Sequence, residues 1–226
     1  MKSIRHAMLA VGFALAGAAS AQTAVVTFDD GDEGWTGNAS IEADGGHPGA
    51  NAHFFLETFG IELRTDSHPA FVGDFTSSPS VTVGLDAQAD SITFKGNEVA
   101  RNIIVEFRSH ALARDGYPYS SVWYNLGVIE ADPEWHAYSI TFTPGSTELP
   151  EGWGGYGAED PDTFEPILPE GVTFADVMAS TDELAFTTFE PGWFYGFTIF
   201  DARFDNLSID RAVADDVVFA DGFELP

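Results

Sequence analysis

Four stretches of this chain repeat with a period of two, and that rhythm limits the fold more than any other feature. Ser80–Asp86 sets Val81, Val83 and Leu85 on one face, and Arg101–Arg108 does the same with Ile103, Val105 and Phe107. Ser121–Ile129 carries Val122, Tyr124, Leu126 and Val128 at alternate positions. Glu134–Thr143 sets His136, Tyr138, Ile140 and Phe142 against Trp135, Ala137 and Ser139. Side chains of a strand point to opposite faces in turn, so each stretch reads as a strand with one apolar face. Short turns separate them, which is the pattern of an all-β sandwich or barrel.

The rest of the chain fits around these strands. Ala24–Phe28 is β-branched and aromatic and reads as a buried strand. Ala43–Asn51 is a turn-rich loop, and Ala52–Arg64 is an apolar run broken by Gly60, read as a strand pair or a bulged strand. Ser91–Phe94 is a short strand. Pro144–Gly171, rich in proline and glycine, reads as one long excursion from the sheet, the kind of loop that carries function. Thr173–Ser180 is the one expected helix, with a threonine able to cap it, Asp176 in its opening turn, and Phe174, Val177 and Met178 at helical spacing. Asp182–Phe189 and Phe197–Ile209 return to strand. No repeat of fixed period occurs, and one domain over 22–210 is expected.

The N-terminus reads as an export leader. Lys2 and Arg5 precede the apolar run Ala7–Ala18, and Ala19-Ser20-Ala21 supplies small residues for cleavage, giving a signal peptide over 1–21. The expected location is secreted or cell-surface, or the periplasm. The mature chain has no further apolar segment long enough to cross a membrane as a helix. The formal net charge is −27, and loss of Lys2 and Arg5 with the leader makes it −29. Such acidity argues against nucleic acid and anionic membranes as partners. Cysteine is absent, so a core drawing on 20 Phe, 5 Trp and 6 Tyr must supply the stability. Residues 211–226 form a tail, read as an added edge strand or a sorting signal.

Two groups of residues suggest binding chemistry. Asp29, Asp30 and Asp32 crowd three carboxylates beside Gly31, in a turn that follows a strand and closes on Trp35. If Arg203–Ile209 pairs with that strand, Asp205 joins them at one rim. With Leu207 and Ile209 facing the core, period-two alternation turns Asp205 inward as well, and an inward carboxylate needs a partner. Hard oxygens of this kind suit calcium, although the spacing does not fit an EF-hand loop. Trp153 and Tyr156 in the long excursion, with Trp193 after them, are the aromatic platforms expected to stack on sugar rings. Trp35 and Trp135 sit in strand-like context and are expected in the core. There is no G-x-S-x-G, no cysteine and no H-E-x-x-H, and the histidines are scattered.

Three short stretches resemble the laminin domain IV type A module and its bacterial relatives. They are His68–Asp86, with its P-x-F-x-G-D entry, the helix-to-strand passage Thr173–Thr188, and FDNLSI at Phe204–Ile209. The resemblance implies a jelly-roll, galactose-binding-like sandwich, and a structural calcium held at positions matching Asp29 and Asp205, with Asp30 and Asp32 nearby. Backbone carbonyls of Gly49 and Asn51 would complete that set by the same analogy. No flanking EGF-like repeats or cysteines accompany it, so a matrix-assembly role does not carry over. The expected function is a non-catalytic module for carbohydrate or for a surface or matrix ligand. A glycan hydrolase or lyase using paired carboxylates, and a purely structural surface protein, are the alternatives.

Overall fold

A computed structural model describes residues 22–114 and 116–213. The expected leader and most of the expected tail lie outside the described residues. In chain order the elements are β1 (Gln22–Val26), β2 (Thr36–Gly37), β3 (Ser40–Gly46), β4 (Gly49–Thr58), β5 (Glu62–Thr65), β6 (Val81–Phe94) and β7 (Asn97–Glu98). There follow β8 (Arg101–Ser109), a 3-10 turn (His110–Leu112), β9 (Ser120–Ile129), β10 (Asp132–Phe142), β11 (Trp153–Tyr156), β12 (Ala158–Glu159) and β13 (Pro166–Ile167). Last come α1 (Phe174–Ala179), β14 (Glu183–Thr187) and β15 (Thr198–Arg211).

These strands make two large antiparallel sheets and the small β12–β13 hairpin. The first runs β10-β6-β15-β4-β3, with β1 added along β15 and β7 along β6; the second runs β11-β9-β8-β14-β5-β2. The two sheets enclose one apolar core, and the fold is an all-β jelly-roll sandwich with one short helix. β15 is the spine of the first sheet, because it pairs with β4, β6 and β1. The alternating residues of β6 and β8 bury as their period requires: Val81, Val83, Leu85, Ile103, Val105 and Phe107 all lie in the core. The chain's ends of sheet meet there too, since Val26 lies opposite Leu207 and Gln22 opposite Arg211.

Helix α1 forms as its residues dictate. The Thr173 hydroxyl accepts from the Asp176 N–H while the Asp176 carboxylate accepts from the Thr173 N–H, a reciprocal capping box. Phe174, Val177 and Met178 are buried beneath it. The Thr173 hydroxyl, which also donates to the Asp176 carboxylate, and then the Thr173 N–H hold that carboxyl below the usual carboxylate range.

Four expectations need correction. The run 52–64 is not one bulged strand but two strands on either side of Gly60, and they do not pair with each other: β4 belongs to the first sheet and β5 to the second. Ser91–Phe94 is not a separate strand but the end of the 14-residue β6. The excursion Pro144–Gly171 returns to the sheet, because β11 pairs along β9 with Trp153 opposite Tyr124. Trp135 is not core. It lies on the outer face of the first sheet, where its ring stacks on His47 with centroids 5.6 Å apart.

Candidate functional site

The rim expected to hold a cation is built around one loop. β1 delivers Asp29, and its Oδ1 accepts the Ala50 N–H at 3.1 Å. β15 delivers Asp205, whose two oxygens accept the backbone N–H groups of His47 and Asn206. Asp205 thus holds the β3–β4 connection at His47, and Asp29 holds the start of β4 at Ala50. The approach is so close that a Cβ on Gly49 would lie 2.6 Å from Asp29 Oδ1. Asp32 instead closes its own turn by accepting the Gly34 N–H, and Asp30 is exposed. Among the described residues no three acidic or imidazole side chains converge as a metal-ligating cluster.

Asp205 is fully buried, but not for the reason its spacing suggests. Phe204 and Leu207 both enter the core, so the period of two is broken between them. Asn206 takes a positive φ of 49°, and the pairing of β15 with β6 shifts register between Asp205 and Ser208. This bulge turns Asp205 to the outer face, under the loop at His47. Burial raises its pKa, helped by the nearby Asp86 carboxylate and opposed by the two N–H donors. Asn51, beside the loop on β4, is also fully buried; its Nδ2 donates to the Asp44 carbonyl, while its Oδ1 has no partner.

The outer face of the second sheet carries a feature that residue patterns did not reveal. Arg108 on β8 bonds Glu106 (2.8 Å from Nε), Glu183 on β14 (2.7 Å) and Glu62 on β5 (2.8 Å). Its side chain is only 6% exposed and that of Glu106 only 2%. The Ser121 hydroxyl donates to the other Glu106 oxygen, and the Tyr119 ring lies 5.0 Å from the guanidinium. Burial opposes the Arg108 charge, yet Glu106 and Glu62 outweigh it and raise its pKa. Burial and then Glu106 raise the pKa of Tyr119 and of Tyr156, so both phenols stay protonated. In the sequence the one sign of this feature is the apolar Ile104 among the outward positions of β8, beside Asn102, Glu106 and Arg108. Ile104 and Ala185 are fully buried outside the main core cluster, so this outer face is itself covered.

Further along the same face, aromatic side chains border a groove of about 440 Å³. Trp123, Phe164 and Trp193 line it, with Thr163, Glu165, Pro166, Pro191 and Gly192. Trp123 lies flat against Gly154 of β11, where a Cβ would fall 2.2 Å from the ring. Trp193 is 69% exposed and Phe164 74%. The loop bearing Trp193 is fastened to β8: the Asn102 amide donates to Glu190 at 2.7 Å, and Arg101 stacks on the Tyr195 ring at 4.6 Å.

The three aromatic residues singled out from the sequence fare differently. Trp193 stands on the groove. Tyr156 sits beside the Arg108 cluster, with Tyr117 and Tyr119 rings 5.3 Å away. Trp153 is not an exposed platform; it packs in the core against Phe142, Phe174 and Phe107. Its strand alternates, so Trp153 faces inward and Tyr156, three residues on, faces out.

No protein-family model matches the chain, and no curated protein sequence matches it. Among solved structures it is similar to the CBM22-1–GH10 modules of an endo-1,4-β-D-xylanase from Clostridium thermocellum, complexed with xylohexaose. That match has 9% identity and a TM-score of 0.46, and covers 83% of this chain and 28% of the other. It is also similar to a family 11 carbohydrate-binding module of Clostridium thermocellum in complex with a β-1,3-1,4-mixed-linked tetrasaccharide. There the identity is 13% and the TM-score 0.43, over 88% of this chain and 92% of the other. A carbohydrate-binding module specific for non-crystalline cellulose superposes at 15% identity and a TM-score of 0.36, over 80% and 90%. The chain thus spans little more than a quarter of the xylanase chain. These superpositions are loose.

Proposed function

We propose that this chain is an exported, non-catalytic binding module for carbohydrate, stiffened by a structural calcium ion. The observation that carries the reading is the groove in which Trp193 and Phe164 stand exposed beside Trp123. Apolar faces of sugar rings pack against aromatic rings, and sites of this kind combine such surfaces with a few fixed polar groups. Here Glu165 and Thr163 are those groups. The clamp from Asn102 and Arg101 presents Trp193 on a fastened loop, which lowers the ordering cost of binding.

Calcium fits the rim on the evidence of its donors. Asp29 and Asp205 supply two carboxylates around the β3–β4 connection, and Asn51 on β4 has a buried, unpartnered Oδ1. Hard oxygens of mixed charge are what calcium takes. Bound there, the ion would offset the cost of burying Asp205 and lock the β3–β4 connection to β1 and β15. Asp30 and Asp32 stay outside this set. The laminin domain IV type A resemblance belongs to this galactose-binding-like reading; its three stretches form the entry to β6, the α1–β14 passage and β15.

The test is a broad polysaccharide panel in affinity gel electrophoresis, run with the native chain and with Trp193→Ala. Retardation of the native chain on at least one glycan, lost in the variant, is expected. Free migration of the native chain on every glycan would refute carbohydrate binding.

A further inference from the structure

We infer that the groove selects an uncharged glycan and that Glu165 is the residue that enforces this choice; the inference rests on the carbohydrate-binding reading above. The first observation is the lining itself. Among its eight residues the single charged side chain is Glu165, set between Phe164 and Pro166. A carboxylate there accepts hydrogen bonds from sugar hydroxyls and repels a carboxylate or sulfate on the sugar.

The second observation is the fate of the cations on this face. Arg108 is closed in by Glu62, Glu106 and Glu183. Arg64 pairs with Glu62 and lies 3.8 Å from Glu183. Arg101 is buried, donating to the Ala100 carbonyl and the Thr198 hydroxyl beneath Tyr195. The guanidiniums of Arg101 and Arg108 are buried, and that of Arg64, half exposed, is held between two carboxylates, whereas recognition of an anionic sugar needs one that is free to make a bidentate contact. On the other flank of the β12–β13 hairpin a second cleft sets Glu159 and Glu170 against Arg114, so the excess there is also acidic. Local carboxylates are what matter, because charges farther off are screened within about 8 Å at physiological ionic strength.

The experiment compares matched pairs that differ in charge: polygalacturonate and its methyl ester, alginate and its propylene glycol ester, and carboxymethylcellulose and hydroxyethylcellulose. Each is run in affinity electrophoresis at low and high salt with the native chain, Glu165→Gln and Glu134→Gln. Glu134 is exposed on β10 in the other sheet and controls for the loss of one bulk charge. In at least one pair the neutral member should bind about 10-fold more tightly at low salt, with the ratio falling as salt rises. Glu165→Gln should shrink that ratio severalfold, and Glu134→Gln should leave it unchanged.

Equal or tighter binding of the charged members by the native chain would overturn the selection while leaving carbohydrate binding standing. An equal response to Glu165→Gln and Glu134→Gln would overturn the role of Glu165. Free migration on all six polymers, together with failure on the broad panel, would overturn carbohydrate binding itself.

Discussion

Replacing Arg108 by methionine tests how the outer face of the second sheet is held together. Methionine keeps much of the aliphatic stem but removes the guanidinium from three carboxylates at 2.7–2.8 Å. Glu62 and Glu183 are 17% and 13% exposed and have Arg64 within reach, so part of their charge is relieved by water and by that neighbour. Glu106, 2% exposed, keeps only the Ser121 hydroxyl. Removing one partner of a buried ion pair costs about 3–5 kcal/mol, and nearly all of that falls here on Glu106. In a chain of this length each kcal/mol moves the thermal midpoint by about 2–4 °C, so a fall of roughly 6–20 °C is expected. Urea unfolding followed by tryptophan fluorescence gives the free energy directly, with an unchanged m-value showing that the same surface is exposed. The double variant Glu106→Gln/Arg108→Met removes the orphaned charge and should regain about 2 kcal/mol. A single variant within about 1 kcal/mol of the native chain, or a double variant no more stable than the single, would refute the reasoning.

Three further outcomes follow from the same structure. Trp193→Ala should abolish retention on glycans while changing stability by less than about 0.5 kcal/mol, because the side chain is exposed and outside the core. Trp153→Ala should lose about 3–5 kcal/mol in urea unfolding, since its ring fills the space between Phe107, Phe142 and Phe174. Calcium should raise the melting temperature relative to chelator, and Asp205→Ala should remove that shift. The calcium effect has a pH dependence with a fixed sign. Burial raises the Asp205 pKa, so above the ordinary aspartate value the folded chain holds more protons than the unfolded one, and metal-free stability falls as pH rises through that window. Calcium takes the deprotonated carboxylate, so its stabilisation should grow over the same rise in pH. Equal shifts at pH 4 and pH 7 would contradict a site that includes Asp205.

Much of this was legible in residues alone because strands and caps are local. Alternation marked the core faces of β6 and β8, and of β9 as far as Leu126, beyond which a register shift exposes Val128 and buries Ile129; Thr173 with Asp176 marked the start of α1. The pairing of the first strand with the last was also legible, since an acidic turn beside a strand and an aspartate within another invite one rim. Where the same local rules were stretched over an irregularity they misled. Counting by twos from Leu207 turned Asp205 toward the core, and one left-handed residue, Asn206, reversed that. Proline and glycine marked 144–171 as an excursion, yet Trp153–Tyr156 re-enters the sheet because Gly154 lets the Trp123 ring lie against its backbone.

By itself the sequence determined the class of the fold: an alternating all-β chain with one capped helix and an acidic turn at its start. Period and capping act over a few neighbouring residues, and so they can be read there. The tertiary structure decided which groups meet. Glu62, Glu106, Arg108 and Glu183 come from three strands spread over more than a hundred positions and become one ion cluster only through the order β9-β8-β14-β5. Trp123, Phe164 and Trp193 become one groove only because β11 brings the 158–167 hairpin beside the loop after β14. Contacts between distant segments are set by strand order and register, and no local pattern encodes either.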